Sequence, residues 1–157
     1  MSPYFLIMIC LTRKTDTDPG REALTLTLPW EKRIRSRLRV QLDNGQEAGL
    51  FLPRGTVLRG GDLLVDDSAA SVVRILAADE EVSRVSCLNG LQLARACYHL
   101  GNRHVALQID RQWVQYLHDH VLDEMVRGLG LTVIRALAPF EPEYGAYASG
   151  GHGHHHA

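Results

Sequence analysis

The histidines are the residues of this sequence whose types and spacing could do chemistry. In Cys97-Tyr98-His99-Leu100-Gly101-Asn102-Arg103-His104-Val105 an imidazole follows directly on the marks of a helix end. Gly101 and Asn102 are the residue types that best tolerate the left-handed conformation that closes a helix. His104 is therefore expected outside the helix, at the start of the apolar run Val105-Ala106-Leu107. His99 and His104 would lie about 140° apart around a helix of about 3.6 residues per turn, so they cannot share an ion on one helical face. If His104 is a ligand its partner comes from elsewhere, and a second copy of the chain is the natural source. His118-Asp119-His120 is the second cluster. On an extended segment two histidines at i and i+2 point the same way and could chelate one ion, with Asp119 steering a ring nitrogen. Equally, Asp119 is a helix cap and the two histidines are exposed neighbours. A third group, His152, His154, His155 and His156, closes the chain among glycines. Such a segment buries too little apolar surface to fold, but its imidazoles can wrap a borderline divalent ion. An expression tag would carry an unbroken histidine run, whereas this one is interrupted by glycine and ends in alanine. It is read as a native metal-binding tail.

The elements that must position these groups follow from periodicity. Val82–Cys87 reads as a strand. Asn89 caps a helix to Leu100, with Gln92 as its reciprocal partner and Leu93, Ala96, Cys97 and Leu100 on the buried face. Val105–Ile109 and Trp113–Leu117 read as strands, Asp119–Leu129 as a helix stopped by Gly130, and Leu131–Leu137 as a last strand. The order β-α-β-β-α-β is that of a ferredoxin-like split unit.

Before about residue 77 the pattern is all-β. Phe5–Leu11 is a first strand, too short to span a bilayer and without the flanks of a signal peptide. Leu24, Leu26 and Leu28 alternate with threonines. Ile34, Leu38, Val40 and Leu42 share one face of the next strand, with Arg33, Arg35, Arg37 and Arg39 on the other. That arginine row could grip an acidic partner or carboxylate. It could equally be a solvated face, or meet Glu47, Asp62 and Asp66 internally. Asp43-Asn44-Gly45 marks a hairpin, and short runs at Gly49–Leu52, Leu63–Val65 and Val72–Leu76 follow between turn residues. A small sandwich or open barrel with no helix is expected. The fold class is thus α+β, divided as a β domain over 1–77, a ferredoxin-like domain over 78–143 and a histidine-rich tail over 144–157.

With 157 residues, 45% hydrophobic and 22% charged, the chain has the composition of a globular protein. A formal net charge of −1 argues against a phosphate-gripping surface, so no nucleic-acid partner is expected. No membrane partner is expected either. Cys10, Cys87 and Cys97 have no paired spacing and fit reduced thiols in the cytoplasm.

The residues quoted above, in their order, carry a resemblance. His99-Leu100-Gly101-Asn102-Arg103-His104-Val105, Asp119-His120-Val121-Leu122-Asp123-Glu124-Met125, Leu129-Gly130-Leu131 and Pro139–Tyr147 before a histidine-rich tail resemble the UreE family of urease accessory nickel chaperones. Arg35-Ser36-Arg37, Leu52-Pro53-Arg54-Gly55 and Gly61-Asp62-Leu63-Leu64 extend the likeness through the first half. Ala106 stands where the family often has proline, and Met1–Arg21 is longer than usual. The resemblance implies a cytoplasmic homodimer, not an enzyme, with a peptide-binding-like first domain carrying Arg35 and Arg37. It implies Ni(II) passed through the urease accessory GTPase to the urease apoprotein activation complex. It places His104 of both subunits at the central site, His118 and His120 as a secondary pair, and His152, His154, His155 and His156 as additional ligands. Imidazole suits Ni(II), Cu(II) and Zn(II) alike, so nickel comes from the resemblance and not from ligand type. Two other classes stay open on the residues alone. A metal hydrolase using His118, Asp119 and His120 would lack a helix-borne glutamate base, and an adaptor would use the arginine row with incidental histidines.

Overall fold

A computed structural model describes residues 8–18 and 23–145, and the chain divides into two compact units, Met1–Asp79 and Glu80–Ala157. The tail histidines and the first three residues of the expected Phe5–Leu11 strand lie outside the described residues.

The first unit is built from two sheets. β1 (Ile9–Leu11), β4 (Arg37–Gln41) and β5 (Glu47–Phe51) form one, in the order β1-β5-β4. β2 (Arg13–Thr15), β3 (Leu24–Leu28), β6 (Leu63–Val65) and β7 (Val72–Ala77) form the other, in the order β2-β6-β7-β3. Alternate residues of each strand point to one side. Leu11, Leu50 and Val40 from the first sheet thereby meet Leu26, Leu64, Val73 and Ile75 from the second in one buried cluster. This is a sandwich, and among the described residues no barrel closes. The expected hairpin at Asp43-Asn44-Gly45 joins β4 to β5, with Gly45 at φ +91°.

The unit is not free of helix, as the periodicity implied. Trp30–Arg33 forms a single helical turn, α1, after Pro29. A period of two from Arg33 to Arg39 reads as strand, but the strand begins only at Arg37. Arg33 leaves the row altogether: it is fully buried, its Nε donating to the Leu28 carbonyl at 3.1 Å and its Nη1 to the Leu58 carbonyl at 3.4 Å. Its guanidinium lies 5.3 Å from the Trp30 ring centroid, with Arg59 at 5.1 Å. Arg35, Arg37 and Arg39 are exposed, and Arg39 pairs with Glu47 at 3.2 Å.

The second unit holds β8 (Asp79–Ser86), α2 (Gly90–Gly101), β9 (Gln108–Ile109), β10 (Trp113–Leu117), α3 (His120–Gly128) and β11 (Thr132–Pro139). Its sheet runs β11-β8-β10-β9, with β10 antiparallel to both neighbours. Numbering these four strands in chain order within the unit gives 4-1-3-2, the βαββαβ arrangement expected. Val85, Val114, Tyr116 and Val133 of the sheet pack with Ala96 and Leu100 of α2 and Val126 of α3. Asn89 caps α2, its side chain accepting from the Gln92 N–H at 2.9 Å. Gln92 Oε1 reaches back one residue further than the usual box and takes the Leu88 N–H at 2.9 Å.

Candidate metal-binding site

Helix α2 does not end on a left-handed Gly101 or Asn102. Gly101 is still helical and Asn102 keeps right-handed angles, φ −62° and ψ −21°. The left-handed residue is His104, at φ +57°. Its N–H donates to the Gly101 carbonyl at 2.9 Å, and the Val105 N–H reaches the Leu100 carbonyl at 3.4 Å. These are the two bonds of a Schellman ending, with His104 in the position glycine usually fills. Helix α3 ends on the same device. There Gly130 sits at φ +82°, its N–H meets the Arg127 carbonyl at 2.9 Å, and the Leu131 N–H meets the Val126 carbonyl at 3.4 Å. One fold thus makes the turn twice, once with glycine and once with an exposed histidine. A side chain in this conformation costs about 1–2 kcal/mol, because Cβ crowds the following carbonyl. The helix end alone gives no reason to carry it.

The connection from β10 to α3 positions the second pair. His118 is anchored to β8 by its N–H, which donates to the Glu81 carbonyl at 3.0 Å. Asp119 is extended and caps α3, its Oδ1 accepting from Val121 N–H at 2.8 Å and Leu122 N–H at 3.2 Å. His120 is already the first helical residue and is exposed, whereas His118 is half-buried. Of the two readings open from sequence, the cap is what Asp119 does. The carboxylate on the His118 ring is instead Asp123, whose Oδ2 lies 3.2 Å from Nδ1. Ser83 Oγ lies 3.0 Å from the same nitrogen. Asp123 is buried and also accepts from the Tyr116 hydroxyl at 2.7 Å.

Asp123, Tyr116 and Ser83 were not singled out by the sequence reading. Tyr116 and Ser83 face each other across β10 and β8. The one local signal is that Asp123 would lie only about 60° from Val126 on a helix of about 3.6 residues per turn, a polar residue at the margin of the apolar arc.

Burial pushes the Tyr116 phenol above the ordinary tyrosine range, and its bond to Asp123 adds to the shift. A folded-state value raised above the unfolded one stabilises the fold fully below the unfolded value and loses that contribution as pH rises through the folded one. Stability should therefore decline with alkali above about pH 10. Tyr116→Phe should flatten that decline, as read from urea midpoints across the alkaline range. An unchanged slope in the variant would show that the phenol is not its source.

The donor set fits a borderline divalent cation. Burial raises the Cys87 and Cys97 thiols above their usual range, so neither offers a ready thiolate at neutral pH. The imidazoles of His104, His118 and His120 remain, and nitrogen donors suit nickel, copper and zinc. Among the described residues no group of three histidine, cysteine or acidic side chains converges on one point. No described helix is long and apolar enough to cross a membrane.

The class so defined is a two-unit α+β protein, a β-sandwich followed by a βαββαβ unit with imidazoles at two of its connections. The family profile described as UreE urease accessory protein, N-terminal domain, matches residues 10–78, and that of the C-terminal domain matches residues 80–157. The chain therefore belongs to the UreE urease accessory protein family. It is 58% identical over 149 residues to the urease accessory protein UreE of Pseudomonas putida (strain GB-1), covering 94% of this chain and 90% of that protein. Its identity to the UreE of Citrobacter koseri is 56%, covering 95% and 97% of the two chains. For the UreE of Escherichia coli O157:H7 it is 50%, covering 95% and 96%. These relatives are named as accessory proteins, the class to which the family assigns this chain.

Proposed function

We propose that the chain is a nickel metallochaperone that carries Ni(II) to the urease activation complex, handing it over through the urease accessory GTPase in the cytoplasm. The observation that carries the reading is the exposed His104 imidazole held in a left-handed C-terminal position that α3 fills with glycine. A strained residue retained where glycine would serve better points to a role for its side chain.

The working unit of this proposal is a homodimer. In a two-fold interface a residue near the axis lies beside its own copy, so one histidine per chain supplies two nitrogens to one ion. Leu91 and Tyr98, seven residues apart on one face of α2, are both exposed apolar side chains on the helix that leads into His104. A two-nitrogen site is incomplete, and incompleteness is useful to a carrier because a closed four-ligand cage releases its ion poorly. His118 and His120 would form a secondary pair. His152, His154, His155 and His156 would capture the ion, complete its coordination and withdraw on transfer. The same ligands would accept Cu(II) or Zn(II). Arg35 and Arg37, exposed in the first unit, remain the proposed contacts for an acidic partner, in a domain proposed to be peptide-binding.

Nickel titration by calorimetry, with the dimer established by light scattering, tests this reading. The expected result is a tight site of one ion per pair of chains plus weaker sites. Deleting residues 149–157 should lower the total stoichiometry while the tight site and the dimer persist. A chain that takes up no stoichiometric nickel, or a truncated one that binds as many ions as before, contradicts it.

A further inference from the structure

We propose that Asp123 is a positioning residue for metal binding, fixing His118 in the tautomer that carries its proton on Nδ1 and leaves the Nε2 lone pair for an ion. This rests on the reading of His118 as a ligand. A buried carboxylate beside Nδ1 sets the tautomer. A carboxylate only accepts, so the phenol of Tyr116 donates to Asp123 Oδ1 across 2.7 Å. Asp123 Oδ2 lies 3.2 Å from His118 Nδ1 and can only accept, so this contact is favourable when Nδ1 carries the proton. Ser83 Oγ, 3.0 Å from the same nitrogen, is a hydroxyl that can donate or accept and so follows the tautomer that Asp123 sets.

The arrangement is rigid. Ser83, Tyr116 and Asp123 are all at most 2% exposed, on β8, β10 and α3 respectively. The two strands hold Tyr116 opposite Ser83 in register, and the helix cap at Asp119 sets the rotation of α3 that brings Asp123 to the ring. A ligand whose tautomer and ring plane are fixed in advance loses less freedom on binding.

The tautomer is read directly in the metal-free chain. Two-bond proton–nitrogen correlation of 15N-labelled protein, recorded where the His118 ring signals no longer move with rising pH, should show a pyrrole-type Nδ1 and a pyridine-type Nε2. The reverse pattern overturns the proposal. Asp123→Asn, whose amide can turn an N–H toward the ring, should shift His118 toward the Nε2–H form and lower nickel affinity about 10- to 100-fold. In a His118→Ala background the same substitution should change affinity no further, and additive losses would show a merely structural effect. Ser83→Ala, which keeps Asp123 in place, should preserve the Nδ1–H tautomer. Its loss there would assign the role to Ser83 and overturn the proposal. If His118→Ala leaves nickel affinity unchanged, the ligand reading fails, and the tautomer result stands apart from it.

Discussion

His104→Gly should produce a protein that is more stable than the native chain and does not hold the shared metal ion. The residue takes φ +57° at the end of α2, in the position that Gly130 takes at the end of α3. Glycine removes a conformational cost of about 1–2 kcal/mol at that point. It returns about 0.5–1 kcal/mol through the larger freedom of the unfolded chain. The net gain is about 0.5–1 kcal/mol, a rise in Tm of a few degrees for a unit of this size. The tight nickel site should vanish, because the imidazole is gone. His104→Ala separates the two effects: it removes the ligand but keeps a Cβ in the left-handed conformation, so it should lose the ion without gaining stability. Thermal melts and nickel titrations of the three proteins check this. A glycine variant less stable than the native chain would mean that His104 has a structural role in the turn.

The largest effect on stability is expected in the first unit. Arg33 is fully buried and donates to the carbonyls of Leu28 and Leu58, tying β3 to the segment after β5. Its own carbonyl takes the Leu58 N–H at 2.8 Å. Arg33→Ala would strand the Leu58 carbonyl in the interior, at about 1–3 kcal/mol for an unsatisfied group, while the Leu28 carbonyl keeps its bond from the Ala78 N–H at 3.0 Å, and it would empty the space the arginine stem fills. A loss of about 2–4 kcal/mol follows, with Tm lower by roughly 10 °C or more in a unit of fewer than 100 residues. Arg37→Ala, on the exposed face of β4, should stay within about 0.5 kcal/mol of the native chain. Equal destabilisation of the two variants in urea denaturation would contradict this division of the arginine row.

The contrast between these residues shows what local pattern carries. Trp113–Leu117 and Leu63–Val65 are strands over the residues expected of them, because pairing with neighbours on both sides agrees with the local preference. The ladder β11-β8-β10-β9 was legible as an order of elements. Val105–Ile109 was not: its apolar run pairs only at Gln108–Ile109, since the chain leaving the left-handed His104 must first turn back from the helix. Arg33 was misplaced because alternation cannot distinguish an outward arginine from one whose carbonyl partners lie far along the chain. The left-handed position fell two residues beyond Asn102, the nearest residue type suited to it. At the candidate site, the sequence supplied His104, His118 and His120 by type and spacing. The carboxylate beside His118 was invisible, since Asp123 reaches the ring only once α3 is docked and capped by Asp119.

The central claim is that one imidazole from each of two chains grips a single cation. Diffraction from a nickel-soaked crystal, with anomalous differences collected at the nickel edge, tests it most directly. The account predicts one strong peak per dimer, on the two-fold axis, within bonding distance of His104 from both protomers. A peak bound elsewhere with the two His104 rings far apart, or no peak at that axis, would contradict it.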